Sequence, residues 1–100
     1  MGVVIGIDVG GSTTKVVGIR NKKICNPLFV RATDPVASLF GVFGKYLYDN
    51  NIPLKDVEKV VLTGVGSAYI HQPLYGLPTA TVDEFLANGL GAQYMPHLDK

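Results

Sequence analysis

One cysteine, Cys25, is all the thiol that this chain of 100 residues carries. That excludes an internal disulfide framework and a cysteine-rich metal site. Cys25 stands in Lys23-Ile24-Cys25-Asn26-Pro27 with no histidine close in sequence to activate it. It therefore reads as a small half-buried thiol and not as a nucleophile. Charge is sparse as well: 17% of residues are charged and the formal net charge is +1. No run of Lys or Arg occurs, so bulk electrostatics favours neither nucleic acid, nor an acidic partner, nor an anionic membrane. The two histidines, His71 and His97, lack the spaced partners of a metal site. The five tyrosines are scattered, without the basic neighbours of a base-stacking platform. No apolar stretch reaches the length of a membrane span. The apolar N-terminus is broken by Asp8 and glycines and has no basic leader. A soluble, cytoplasmic protein without nucleic-acid or membrane partners is the expectation.

What is present is a globular mixture, 47% apolar, long enough for one small domain with a core. Val3-Val4-Ile5-Gly6-Ile7-Asp8 is a near-continuous β-branched run, the pattern of a strand buried on both faces, and it ends in a carboxylate. A glycine turn follows, then a second strand over Lys15–Arg20. Asn21-Lys22-Lys23 reads as a hairpin connection and Ile24–Arg31 as a third strand, with Pro27 marking an edge or a bulge. Thr33 or Asp34 is the expected N-cap of a helix with Pro35 at its first position. Val36, Leu39, Phe40, Phe43 and Leu47 form its apolar stripe, and Gly41 and Gly44 would permit close packing on the sheet. Val57–Thr63 reads as a strand parallel to the first. Ala68–Pro78 reads as a loop with a helical turn, Thr79–Val82 as a short parallel strand, and Asp83 onward as a final helix ending before Pro96. The resulting order, β-β-β-α-β-(β)-α, is an α/β, ribonuclease-H-like lobe: a three-stranded antiparallel meander extended by parallel strands.

Three segments carry chemistry. In Asp8-Val9-Gly10-Gly11-Ser12-Thr13-Thr14-Lys15, Gly10 and Gly11 let backbone N–H groups approach phosphate oxygens without side-chain obstruction. Ser12 and Thr13 add hydroxyl donors, Lys15 adds a positive charge, and Asp8 is placed to hold a hydrated Mg2+. The bland alternative is a hairpin turn whose glycines serve only its geometry. The string is neither a Walker loop nor a dinucleotide-binding glycine motif, because it opens a strand and not a helix. Thr63-Gly64-Val65-Gly66-Ser67 leaves a backbone turn at the carboxyl end of a sheet, where open α/β sheets bind ligands. Asp83 and Glu84 are either capping residues of the final helix or carboxylates facing a cleft, one of which accepts a hydroxyl proton.

The segment from Ile5 to Lys15 resembles the first phosphate motif of the actin/hexokinase/Hsp70-like ATPases. Read with Thr63-Gly64-Val65-Gly66, Val82-Asp83-Glu84-Phe85 and Gly89-Leu90-Gly91, the chain is similar to the type II, Fumble-like pantothenate kinases. That resemblance implies ATP and Mg2+ as cofactors and Gly10, Gly11, Ser12, Thr13, Lys15 and Gly64 around the nucleotide phosphates. It implies Asp8 at the metal and Glu84 as catalytic base for the hydroxyl of pantothenate, the first step of coenzyme A biosynthesis; Asp83 has a lesser claim. Two-lobed members continue past the equivalent of Lys100, so residues 1–100 are expected to form one lobe and to be inactive as a kinase alone. The Ser-Thr-Thr-Lys string leans toward a sister family, the ATPase activators of 2-hydroxyacyl-CoA dehydratases and benzoyl-CoA reductases. Those activators share an iron–sulfur cluster at a dimer interface, and Cys25 alone does not match its ligands. The kinase reading is accordingly placed first, the activator second and a non-catalytic remnant of the fold third. A homodimer would use the edge strand near Pro27 or apolar helix faces left for a second lobe.

Overall fold

The computed structural model describes residues 2–20, 23–31, 34–70, 73–87 and 92–96; the side chains of 23, 25, 69, 83–87 and 92–96 are not described. Strands β1 (Val3–Val9), β2 (Thr13–Arg20) and β3 (Lys23–Arg31) precede helix α1 (Pro35–Asp49). Strands β4 (Val57–Thr63), β5 (Thr79–Ala87) and β6 (Ala92–Pro96) follow it. Short 3-10 turns at Leu54–Asp56, Val65–Tyr69 and Leu74–Gly76 join the later elements. The strands lie in the order β3-β2-β1-β4-β5-β6. β1 is antiparallel to β2 and parallel to β4, and β4 is parallel to β5. The expected meander, crossover helix and parallel extension are all there.

β1 lies between β2 and β4 and is covered by α1 on one face, which its alternate apolar residues fill. Val3, Ile5, Ile7 and Val9 point to one face and are buried with Val16, Val60 and Leu62 against Leu39, Val42, Phe43 and Tyr46 of α1. On the other face Val17 and Val61 are buried as well. α1 starts where the chain makes a cap: Asp34 Oδ1 accepts from the N–H groups of Val36 at 2.9 Å and Ala37 at 3.2 Å, and Pro35 occupies the first turn. The helix buries Leu39, Val42, Phe43 and Tyr46, with Phe40 and Leu47 half-buried at the flanks. Val36 lies outside the stripe, 42% exposed. Gly41 and Gly44 face solvent, with nothing near the position a Cβ would take, so they do not serve helix–sheet packing.

Pro27 sits in a bulge of the edge strand. β2 steps from Val16 to Gly18 while β3 steps from Leu28 to Cys25, and Asn26 takes φ 44°. Beside the bulge, the Gly18 N–H donates to Tyr46 Oη at 2.7 Å, tying the meander to the last turn of α1.

The final helix expected from Asp83 is not formed. β5 runs on to Ala87 and pairs antiparallel with β6, with Ala87 opposite Ala92. Phe85, Leu86, Leu90 and Tyr94 fit a helical spacing loosely. Thr79, Thr81 and Val82, however, start a β-branched strand that nothing interrupts, and Asn88-Gly89 is a hairpin signal between two apolar runs. Residues 88–91, including Gly89 and Gly91, lie outside the described set.

Candidate functional site

The carboxyl ends of the parallel strands β1 and β4 lie side by side, with Asp8 opposite Thr63. Asp8 is also the cross-strand partner of Lys15 on β2, and Lys15 is the partner of Phe29 on β3. Directly opposed residues project to the same face of a sheet. Thr63, Asp8, Lys15 and Phe29 thus make one row across four strands, on the face away from α1. The strand's alternation explains why: Val9 is buried toward the helix, and Asp8 is exposed on the other side.

The β1–β2 hairpin supplies exposed backbone at its tip. Gly10 N–H donates to the Thr13 carbonyl at 3.0 Å, and a Cβ on Gly10 would stand 2.6 Å from that oxygen. Gly10 therefore closes the turn, and its N–H is not available to a ligand. Gly11 and Ser12 are exposed at the tip, open space surrounds Gly11 Cα, and no described residue engages either N–H. Ser12 and Thr13 present their side chains to solvent. Thr14 is buried and turned the other way, with its Oγ1 3.2 Å from Ser38 Oγ on α1. The hairpin tip thus offers two unengaged amides and two hydroxyls, and its base is anchored to the helix.

Gly64 forms the second wall. Its φ of 94° and ψ of 164° belong to a region that only glycine enters at low cost. A Cβ here would lie 2.5 Å from Asp8 Oδ1 and 2.5 Å from the Val9 carbonyl oxygen. Ser67 Oγ donates to the Gly64 carbonyl at 2.7 Å and holds the turn. The missing Cβ leaves a cradle over which the Asp8 carboxylate leans. An exposed carboxylate beside bare backbone fits a hard, hydrated cation, which takes oxygen ligands and keeps most of its waters. Among the described residues no cluster of three or more His, Cys, Asp or Glu side chains could hold a metal by itself. Asp8 with solvent and phosphate oxygens is the arrangement the chain allows.

Of the residues singled out from sequence, Asp8, Gly10, Gly11, Ser12, Thr13, Lys15 and Gly64 come together at this end of the sheet. Glu84 lies on β5, opposite Met95, and not at a strand-to-helix junction. Since Thr81 is level with Leu62, residues 83 and 84 run past the end of β4 at the same end of the sheet; their side chains lie outside the described set. Ser38 lies outside the three segments; Thr14 and Ser67 lie within them but carry no role read from sequence, although Ser67 closes the Thr-Gly-x-Gly turn as a serine three residues after a turn glycine can. A pocket of about 280 Å3, lined by Val3, Arg20, Asn26, Tyr46, Asn50 and Ile52, opens at the opposite end of the strands.

The sequence matches no protein-family model and no curated protein. Solved structures do share the fold. The activator of 2-hydroxyisocaproyl-CoA dehydratase from Clostridium difficile, determined with bound ADPNP, aligns with a TM-score of 0.63 at 20% identity over 79% of this chain. Component A of (R)-2-hydroxyglutaryl-CoA dehydratase from Acidaminococcus fermentans aligns with a TM-score of 0.57 at 22% identity over 81% of this chain. The chain spans 29% and 31% of the lengths of those two proteins. The chain therefore shares the ribonuclease-H-like α/β fold of these two proteins. Neither of these two proteins is a pantothenate kinase. No described helix is long and apolar enough to cross a membrane.

Proposed function

We propose that this chain is a phosphate-binding lobe of an ATP-binding protein of the activator type, in which nucleotide occupancy acts on a partner protein. The observation that carries the reading is the joined pair of turns at the ends of β1 and β4. Gly11, Ser12 and Thr13 face the position of a polyphosphate from one side, and Gly64 and Asp8 bound it from the other. The amides of Gly11 and Ser12 and the hydroxyls of Ser12 and Thr13 donate to phosphate oxygens. Lys15 contributes charge, and Asp8 holds waters of a Mg2+ ion that would neutralise the phosphates. The likeness to an activator with bound ADPNP supports ATP as the nucleotide, and the likeness to a dehydratase activator and a dehydratase component supports a protein partner over a small-molecule acceptor. The kinase reading loses its ground: Glu84 was placed at a helix N-terminus that is a strand, and pantothenate rests on sequence resemblance alone.

Calorimetric titration of the chain tests this. MgATP is expected to bind at least tenfold more tightly than AMP, since the site faces the outer phosphates; the factor of about 10 corresponds to roughly one charge-assisted hydrogen bond. Asp8→Asn should remove the Mg2+ dependence and leave the fold intact. Pantothenate should neither bind nor stimulate ADP release. Equal affinity for AMP and MgATP would refute a polyphosphate site, and ADP release that depends on pantothenate would restore the kinase.

A further inference from the structure

Asp8 and Lys15 are opposite charges on directly paired residues of an antiparallel ladder. Such partners have Cβ atoms about 5 Å apart, close enough to close an ion pair. They do not close it. Lys15 Nζ instead lies over the ring of Phe29, 5.4 Å from its centroid. The Asp8 carboxylate leans the other way, into the space a Cβ on Gly64 would fill. Phe29 itself is 62% exposed, on the face of the edge strand away from the core, whereas its neighbours Leu28 and Val30 pack inward. Core packing does not account for an aromatic there. An exposed cation–π contact and an exposed ion pair stabilise by comparable amounts, so a well-placed ring can hold an ammonium that a carboxylate would otherwise take.

We infer that Phe29 is a positioning residue that holds Lys15 away from Asp8, so that the carboxylate stays open to a divalent cation and the ammonium stays open to phosphate. The inference rests on the phosphate-site reading above. Without the ring, Lys15 swings onto Asp8 and competes with the cation for it. The aromatic face is what matters: tyrosine should serve in its place, and leucine or threonine should not.

The test uses the whole chain with Mn2+ alone as probe, read by paramagnetic broadening at the Asp8 amide. Phe29→Leu and Phe29→Thr should each weaken Mn2+ binding by about 3- to 5-fold, the upper worth of one exposed ion pair. Phe29→Tyr should stay within about twofold, and adding Lys15→Met to Phe29→Leu should restore the loss, because no ammonium remains to compete. In the same samples the Lys15 Cε protons should be shifted upfield by the ring in the parent and in Phe29→Tyr, and not in Phe29→Leu. If Phe29→Leu and Phe29→Thr bind Mn2+ like the parent while Asp8→Asn abolishes binding, the positioning role is wrong and the site stands. If Asp8→Asn leaves Mn2+ binding unchanged, the cation site itself is wrong, and the role of Phe29 goes with it.

Discussion

Gly64 is the residue on which the site depends most. Its backbone conformation excludes other side chains, and its missing Cβ makes room for the Asp8 carboxylate. Gly64→Ala combines backbone strain with overpacking, and should destabilise the chain by about 2–5 kcal/mol in urea unfolding. It should also weaken divalent-cation binding, because the new methyl displaces Asp8. Gly11→Ala is the contrasting case. Open space surrounds that position and its φ is not in the left-handed region, so the cost should stay below about 1 kcal/mol. The double glycine is thus two residues with different duties: Gly10 closes the turn, and Gly11 keeps the tip bare. Their adjacency was legible in the sequence, but the division of labour was not, because it depends on where the Thr13 carbonyl lies.

At the scale of elements, α1 shows what periodicity reveals and what it leaves out. The apolar spacing located the helix and Pro35 its first turn, and the structure chose Asp34 over Thr33 as the cap. Val42 and Tyr46, three and seven residues after Leu39, lie on the same buried face but outside the stripe read from sequence, and a tyrosine does not announce burial. Here its hydroxyl is satisfied by the Gly18 N–H, which makes burial affordable. Gly41 and Gly44 lie on the solvent face of the helix, where glycine costs backbone entropy without a packing return. Gly41→Ala and Gly44→Ala should each raise stability by roughly 0.5–1 kcal/mol, measured by thermal or urea unfolding. Failure of both to stabilise would mean that α1 contacts something beyond this chain along that face. The first half of β5, Thr79–Val82, is legible as a strand, whereas from Asp83 onward the sequence suggests a helix because Phe85, Leu86, Leu90 and Tyr94 tolerate either period. The distinguishing signals were Asn88-Gly89 and the β-branched lead-in at Thr79, Thr81 and Val82. That correction removes the helix on which Glu84 had been given a catalytic place.

For the whole molecule, the hairpin, the β4 turn and α1 are linked. Thr14 touches Ser38, and a Cβ on Gly66 would meet both Val9 and Pro35. A ligand held at the strand ends therefore stabilises the folded lobe as a unit. MgATP at about 100 times its dissociation constant should add roughly 2.7 kcal/mol, which for a domain of this size raises Tm by about 10 °C or more. AMP at the same concentration should produce a smaller rise in a calorimetric scan. The sequence by itself determined the strand run of β1, the glycine turn that follows it, the helix and its cap, and the parallel strand β4. These follow from local sterics and from the periods of 2 and 3.6, which are properties of neighbouring residues. Only the tertiary structure decided that Asp8, Lys15, Phe29 and Thr63 share one row, that the two charges splay apart, and that Gly64 is cut away to admit a carboxylate. Those facts depend on the register between strands up to fifty-five residues apart in sequence, and register is set by the burial of whole faces, which no short segment carries alone.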